Sequence, residues 1–228
     1  QEKVRKYLGV VKRMGISVLR PDINKCEAKF IQNEDGIYMG LTSLKYVGTG
    51  VKEAIIEREK NGAFKSLQDL LERVQLNKRE VESLIKSGAL DCFGHKRSQM
   101  LSSLDALIKK AKIERETRKS GQLTLFDFLG EDQKEAFKFQ YPDISEYNPM
   151  EKFTMEKEVS GFYLSGHPLD LPEYQRFTKH SNITTVDGFT EGDDRKDISI
   201  VGIIQIDEKE GGIRISKAGK QYAIFDIE

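Results

Sequence analysis

The sequence has few cysteines, no net charge and no long apolar run. Only two of its 228 residues are cysteines, Cys26 and Cys92, and neither belongs to a Cys-x-x-Cys or Cys/His cluster. This spacing argues against a zinc site and against a secreted fold built on disulfides, and it indicates a reducing compartment. No stretch of about 18 apolar residues is present and no signal-peptide pattern opens the chain, so we expect neither a membrane span nor secretion.

The charges cancel in number but not in position. The 37 lysines and arginines balance 37 aspartates and glutamates, so no overall field favours nucleic acid or a membrane. Residues 39–118 carry sixteen basic against eleven acidic side chains, whereas residues 119–160 carry five against nine. This order gives a hint of a polyanion-binding module and no more.

Apolar spacing predicts a mainly α chain with a small antiparallel β part. Helical spacing occurs at the start of the chain and in four later stretches, namely 1–15, 41–45, 50–60, 77–87 and 95–118. The sequence "KFIQNEDGIYMGL" predicts a short hairpin turning at Asp35–Gly36, and "PMEKFTMEKEVSGFYL" predicts a helix with proline near its start. Three β-rich runs, 198–206, 213–216 and 221–227, predict an antiparallel meander.

The sequence "LKYVGTGVKEAIIEREK" (44–60) fits a helix-hairpin-helix. Glycines there allow a tight turn, so that amides at the start of the second helix can face a DNA phosphate. The predicted contacts are Lys45, Gly48, Thr49, Gly50 and Lys52. The alternative is a turn that only packs two helices against each other and does not bind DNA.

A second candidate of the same kind follows about forty residues later. In "NKREVESLIKSGALDCFGHKRSQMLSSLDAL" a helix leads into a tight passage from Gly88 to Gly94, and another helix then begins. Polar and basic residues at that start suit a phosphate, and they are His95, Lys96, Arg97 and Ser98. Two such hairpins in tandem indicate sequence-independent binding of duplex DNA.

Four stretches in order resemble the bacterial DNA polymerase III alpha subunit family, of DnaE type. They are "MGISVLRPDINKCEAKF", "GLTSLKYVGTGVKEAIIEREKNGAFKSLQDLLERV", "LNKREVESLIKSGALDCFGHKRSQML" and "EKEVSGFYLSGHPLD". The resemblance implies a C-terminal fragment whose regions are the end of the fingers (1–38), tandem helix-hairpin-helices (39–118), a clamp-binding linker (119–149), a helical connector (150–180) and a truncated OB-like meander (181–228).

The chain departs from the family pattern in two ways. Tyr46 stands where the first hairpin of the family often has glycine, which puts the phosphate contact of that hairpin in question. No block matches the palm of the family, whose carboxylates hold the catalytic metals, and "GDD" at 192–194 lies in a charged loop. We therefore expect no catalytic or metal-binding residue and no cofactor in this chain, with Mg²⁺ confined to the palm of a full-length enzyme. As part of a DNA-directed DNA polymerase, the fragment is expected to be inactive alone.

The apolar sequence "GQLTLFDFLG" (121–130) interrupts two charged, poorly patterned segments. Gln122, Leu123, Leu125 and Phe126 lie in "QLTLF", which resembles the peptide by which bacterial replication proteins dock on the β sliding clamp. An extended segment can insert leucine and phenylalanine into a preformed apolar pocket. The alternative is that these side chains, with Phe128, pack against a neighbouring helix.

The end of the chain offers a separate candidate site for single-stranded DNA. OB domains bind single strands through basic and aromatic side chains, and "RISKAGKQYAIF" supplies Arg214, Lys217, Lys220 and Tyr222. His167 lacks a nucleophile arrangement, so we interpret it as a turn residue, and we expect His180 at the surface.

Three functions remain open on sequence alone. The first is a DNA-positioning and clamp-tethering segment of a bacterial replicative polymerase, cytoplasmic, with duplex DNA, single-stranded DNA, the clamp and other replisome subunits as partners and no membrane. The second is a non-catalytic helix-hairpin-helix adaptor or repair factor. The third is a purely structural module.

Overall fold

The computed structural model describes residues 7, 10–11, 14–120, 139–179, 197, 199–205, 213–223 and 226–227. Residues 1–166 and 167–228 form two compact units. No helix in the described part combines the length and apolar character that a membrane crossing needs.

The first unit begins with a small sheet and continues as helices. Its elements are β1 (Val18–Leu19), β2 (Ile31–Asn33), β3 (Gly36–Tyr38), α1 (Thr49–Asn61), α2 (Leu67–Arg73), α3 (Lys78–Lys86), α4 (Arg97–Lys119) and α5 (Pro149–Ser160), with short 3-10 helices at Leu41–Ser43 and Asp91–Phe93. The mainly helical prediction is confirmed.

The sheet is mixed, with β3 in the centre. β2 and β3 form the predicted hairpin, in which Gln32 lies opposite Ile37, and the Asn33 side chain accepts the amides of Asp35 and Gly36 at the turn. β1 pairs with β3 in parallel, with Val18 opposite Ile37. A two-residue strand has no readable periodicity, which is why the sequence did not predict β1.

Local capping explains where the helices begin. Ser66 Oγ accepts the Asp69 amide at the start of α2, and Asn77 and Asn148 each form a capping box at the start of α3 and α5. Helices α1, α3, α4 and α5 confirm the predicted ones, whereas the predicted helix near 41–45 is a 3-10 turn. The seven-residue helix α2 was not predicted. Of residues 1–15, only Tyr7, Val10 and Val11 are described as helical.

One hydrophobic core serves the first unit. Its fully buried side chains include Ile23, Met39, Leu41, Leu67, Leu70, Leu71, Leu84, Ile85, Leu90, Met100, Leu104 and Leu107. Ile23 precedes the expected region boundary at residue 38, and Leu41 follows it. Residues on both sides of that position therefore belong to one compact unit. On α5, Phe153 and Val159 are buried as expected, but Met150 is 38% exposed.

Residues 139–147, which we call the strap, form an extended segment packed on the helices. Phe139 and Tyr141 pack against the core, the Phe139 amide donates to Gln68 Oε1 (3.1 Å), and Gln99 Nε2 donates to the Pro142 carbonyl (2.8 Å). The C-terminal part of the expected linker thus packs on the helices, because the rings of Phe139 and Tyr141 supply apolar contacts that a solvated segment lacks.

The second unit contains a short helix and two pairs of strands. A 3-10 helix (Pro168–Asp170) precedes α6 (Pro172–Thr178), and the strands are β4 (Ile204–Gln205), β5 (Ile213–Ile215), β6 (Gln221–Ala223) and β7 (Asp226–Ile227). β5 pairs antiparallel with β6, as predicted, but β4 pairs with β7. His167 Nδ1 accepts the Leu169 amide (3.2 Å), which fits the predicted turn role.

Candidate nucleic-acid interface

The first interhelical turn, residues 44–50, joins the 3-10 helix Leu41–Ser43 to α1. Its backbone is fixed on both sides: the Lys45 amide donates to the Val159 carbonyl (2.7 Å), and Ser83 Oγ donates to the Lys45 carbonyl (2.6 Å). The Val47 amide donates to the Leu44 carbonyl (3.4 Å). These bonds hold the turn against α3 and the end of α5.

Tyr46, at the tip of this turn, has a backbone conformation that favours glycine. Its φ is +64°, and it is the only non-glycine residue with positive φ in the described part of the chain. Its side chain is 62% exposed, so burial of the ring does not offset the strain. The anchored neighbours Lys45 and Val47 impose the conformation instead.

A carboxylate of the chain occupies the start of α1. Glu80, only 4% exposed, accepts the Gly48 amide at Oε1 (3.0 Å) and the Asn77 amide at Oε2 (3.1 Å). A Cβ on Gly50 would lie 2.8 Å from Glu80 Oε2 and equally close to Leu76, so this close approach requires glycine. The Gly48 amide, predicted to face a phosphate, therefore already has an anionic partner within the chain, and Gly50 is buried.

Four predicted contacts of the first turn lie at the surface. The residues are Lys45, Gly48, Thr49 and Lys52. Arg79, at the start of α3, is exposed as well, although the sequence analysis did not single it out. Across the described ranges the side chains of Lys45, Lys52 and Arg79 form no ion pair, so their charges are available to a polyanion.

The second interhelical turn, residues 87–97, is closed by the Arg97 side chain. Arg97 is 2% exposed; it forms ion pairs with Asp91 (2.7 Å) and Glu156 (3.0 Å) and donates to the Lys86 carbonyl (3.1 Å). Gly88 has φ +83°, and a Cβ there would lie 2.3 Å from Arg97 Nη2. Arg97 thus fixes the turn from inside.

Glu156 completes this buried network. Its side chain is fully buried, and besides the Arg97 guanidinium it accepts hydrogen bonds from the amides of Leu164 and Ser165 and from Ser165 Oγ, at 2.8–3.0 Å. Burial alone disfavours the charged guanidinium, but Asp91 and Glu156 raise the pKa of Arg97 above its ordinary value.

A second carboxylate, Glu146 on the strap, occupies the start of α4. The amides of Arg97 and Ser98 donate to its two oxygens, each at 3.1 Å. Ser98 is 6% exposed. Arg97 and Ser98, predicted to contact a phosphate, have buried side chains, and both of their amides already have an anionic partner within the chain.

The other two predicted contacts of this turn also touch the strap. The His95 ring lies 4.0 Å from the Tyr141 ring, and Lys96 Nζ donates to the Ile144 carbonyl (2.9 Å). Burial raises the pKa of Tyr141 to about 12. With the strap in place, the second turn offers far less free cationic surface than the first.

The hydrogen bonds of Glu146 make its ionisation unusually favourable. Partial burial would raise its pKa, but the Ser98 amide, the Lys152 ammonium (3.0 Å) and the amides of Tyr147 and Arg97 lower it to about 2. The ordinary value is 4.5. A carboxylate whose pKa falls on folding stabilises the folded state above the unfolded-state pKa, and this stabilisation is lost as the pH falls through the folded-state pKa.

Replacing Glu146 with glutamine is expected to destabilise the first unit by about 1–2 kcal/mol at neutral pH, because α4 loses a charged cap. Urea unfolding near neutral pH and at about pH 3 measures the effect. The difference from wild type should shrink as the pH drops from 4.5 towards 2. Asp143→Asn is the matched control, since that strap carboxylate is fully exposed. An equal, pH-independent loss in both variants would contradict the capping role.

Sequence reasoning missed the three carboxylates that organise the turns. Glu80 had a signal, because Asn77-x-x-Glu80 is a capping-box pattern, although its bond to Gly48 was not predictable. Glu146 and Glu156 meet Arg97 from positions 49 and 59 residues further along, and such partners leave no local pattern.

Several predicted residues cannot be placed in this geometry. The clamp motif, Gln122–Phe126, lies outside the described residues, as do His180 and residues 192–194. In the second unit Lys217, Lys220 and Tyr222 are exposed, and Arg214 pairs with Tyr222 across β5 and β6. Within the described ranges no group of three or more His, Cys, Asp or Glu side chains could hold a metal ion.

Comparison with known proteins gives the class first. Residues 15–100, which include both interhelical turns, match a family model described as a helix-hairpin-helix motif. The chain is therefore a mainly helical protein with a helix-hairpin-helix motif.

Curated relatives then give the family. The chain is similar to DNA polymerase III subunit alpha of Borreliella burgdorferi (39% identical over 74% of this chain and 15% of the relative) and of Thermus aquaticus (40%, over 74% and 13%). The subunit from Campylobacter jejuni is 32% identical over 99% of this chain and 19% of its own length. The chain belongs to the DNA polymerase III alpha-subunit family and spans less than a fifth of each of these relatives.

Proposed function

We propose that this chain is the segment of a bacterial replicative DNA polymerase that positions duplex DNA and tethers the enzyme to its clamp. The single observation that carries the proposal is the family relationship, which extends over nearly the whole chain and includes the helix-hairpin-helix match. It favours the polymerase over an unrelated adaptor. Catalysis and its Mg²⁺ would belong to a palm region that this sequence does not match. We therefore expect the chain to have no polymerase activity by itself. We also expect it to act in the cytoplasm.

Duplex DNA would contact the first turn rather than the second. Lys45, Lys52 and Arg79 are exposed and form no ion pair within the described ranges. At the second turn, by contrast, Arg97 is buried and Glu146 takes the amides at the start of α4. A carboxylate of the chain accepts an amide at both helix starts, so the difference between the turns lies in their accessible cations, and the two turns should contribute unequally.

The clamp would bind the segment Gln122–Phe126. In sequence it lies between Ser120, which follows α4, and Phe139, at the start of the strap, and both of these flanking residues belong to the first unit. Tethering supports processive synthesis because a polymerase that leaves the primer end stays at high effective concentration near it.

The second unit would meet single-stranded template. Lys217 and Lys220 flank the turn between β5 and β6, and Tyr222 on β6 is 44% exposed. An exposed aromatic ring near two ammonium groups is the combination by which OB-type surfaces stack bases and neutralise phosphates.

The DNA-binding proposal predicts a specific effect of charge reversal at the first turn. The double variant Lys45→Glu/Lys52→Glu should bind a short blunt duplex about tenfold or more weakly at low salt. The slope of log K against log salt should also become shallower by about 1.8, because two phosphate contacts are lost. Fluorescence anisotropy titrations at several salt concentrations measure both quantities.

Lys112→Glu is the matched control for a general change in charge. Lys112 is an exposed lysine on α4 with Glu116 as its neighbour (3.9 Å). Its reversal should change duplex affinity by less than about twofold. A double variant that binds as tightly as the wild type would overturn the assignment of duplex DNA to the first turn.

A further inference from the structure

A cleft of about 280 Å³ opens beside the first turn. Its lining comes from Tyr46, from one face of α3 and from the last turn of α5 at Glu158 and Val159. The α3 residues are Arg79, Glu82, Ser83 and Lys86, which follow the spacing of one helical face. The volume is below the roughly 300–1,000 Å³ of sites for drug-sized ligands, so it suits a single ring system.

The charge of the lining argues against a simple phosphate site. Lys86 Nζ pairs with Glu158 at 2.8 Å, and Lys78 approaches Glu82 from outside the cleft at 4.0 Å. Two cations and two carboxylates line the cleft, so it has no net charge to concentrate an anion. It offers instead hydrogen-bond donors and acceptors to a neutral, polar, planar group.

Tyr46 supplies a flat face for such a group. The ring is 62% exposed, and its backbone stays at φ +64° because the neighbouring positions are bonded to Val159, Ser83 and Leu44. Strain of this kind is stored where the surrounding structure over-determines a residue, and it marks functional positions more often than packing positions. Because the backbone on both sides of Tyr46 is already hydrogen-bonded, stacking a ring on its side chain does not require the turn to become ordered.

Free cations lie at the rim of the cleft. Lys45, adjacent to Tyr46, and Arg79, in the lining, are exposed and form no ion pair within the ranges that the structure describes. They could neutralise the phosphates that flank a base seated against Tyr46. Aromatic stacking together with nearby Lys or Arg is the physical basis of single-strand binding.

We propose that this cleft binds one unpaired base of a DNA strand, with Tyr46 stacking on the base and Lys45 and Arg79 at its flanking phosphates. The inference rests on the DNA-binding role proposed above and adds a ligand to the same turn: a nucleotide that is not base-paired. Where the duplex is gapped or frayed, the first turn would hold the extruded base as well as the backbone.

The test compares a blunt duplex with the same duplex carrying a short single-stranded gap. The wild-type chain should bind the gapped DNA about fivefold or more tightly, the scale of one base–aromatic stack. Tyr46→Gly, which suits the positive φ and removes the ring, should bring the ratio of the two affinities close to one. Tyr46→Phe keeps the stacking face and should keep the ratio. A 5-iodouracil placed in the gap should cross-link to Tyr46 on irradiation.

The outcomes separate this inference from the proposed function. Duplex binding without a preference for gapped DNA overturns the inference and leaves the proposed function standing. A preference that survives in Tyr46→Gly, or a cross-link that maps to Tyr222 instead, assigns the unpaired base to another surface and also overturns it. If the wild type binds neither DNA, both the proposed function and the inference fail.

Discussion

Glu156→Leu is expected to lower the free energy of unfolding of the first unit by about 3–5 kcal/mol. The substitution leaves the 2%-exposed Arg97 guanidinium with only Asp91 as its counterion, and the Asp91 side chain is itself 41% exposed. It also removes the acceptor of the amides of Leu164 and Ser165. Breaking a buried pair by removing one partner costs far more than the pair contributes, because the remaining charge stays out of water.

Urea unfolding followed by circular dichroism measures this loss, and the chain supplies its own control. Glu158→Gln, two residues away on α5, breaks an exposed pair with Lys86 and should cost less than about 1 kcal/mol. The double variant Arg97→Met/Glu156→Leu should recover part of the loss, since no unpaired charge is then buried. If Glu156→Leu were no more destabilising than Glu158→Gln, the Arg97–Glu156 pair would not be buried in solution.

The second large effect concerns the clamp. Changing Gln122, Leu125 and Phe126 to alanine should abolish a micromolar interaction with purified bacterial β clamp, a loss of at least about thirtyfold in calorimetry. The reason is that a short extended segment concentrates its binding energy in a few anchors: the glutamine supplies a directional hydrogen bond, and the two apolar side chains fill a pocket. Binding at this scale would support the tethering part of the proposed function.

Phe128→Ala is the control for this experiment. Phe128 lies in the same apolar run, two residues beyond the motif, so the clamp hypothesis predicts near-wild-type affinity for the variant. If the run only packs against the protein, Phe128→Ala and the triple variant should instead both lower stability, and neither wild type nor variants should bind the clamp. The clamp hypothesis thus predicts a change in clamp affinity, whereas the packing hypothesis predicts a change in the stability of the protein.

Sequence periodicity predicted most of the helices, whereas it carries little information on what surrounds the candidate site residues. Helices α1, α3, α4 and α5 follow from apolar spacing and from start signals such as Asn148-Pro149, which are local features. Low periodicity and the prolines Pro142 and Pro149 favour a linker over residues 119–149, which include the strap. The strap packs on the helices because Phe139 and Tyr141 contact a core whose residues lie mostly at much lower sequence numbers.

The surroundings of the predicted site residues are least predictable where charged residues face inward. Arg97 resembled a phosphate contact because basic residues at a helix start usually face solvent, yet Gly88, Asp91 and Glu156 together enclose it. Conversely, the sequence shows that Tyr46 stands where the family often has glycine. Only the structure shows that Tyr46 has a positive φ and lines a cleft. Pairing over long sequence distances is the information that a single sequence lacks.

The end of α4 sets a length limit on the predicted clamp motif. Ser120 ends α4 and Phe139 is bonded to Gln68, so the intervening segment starts and finishes on the same compact unit. Phe126 follows Ser120 by six residues, so even a fully extended chain carries it no more than about 21 Å from that helix end. A clamp bound at this motif would therefore stay within that distance of the end of α4, and release of the strap from Gln68 would not lengthen the path from Ser120.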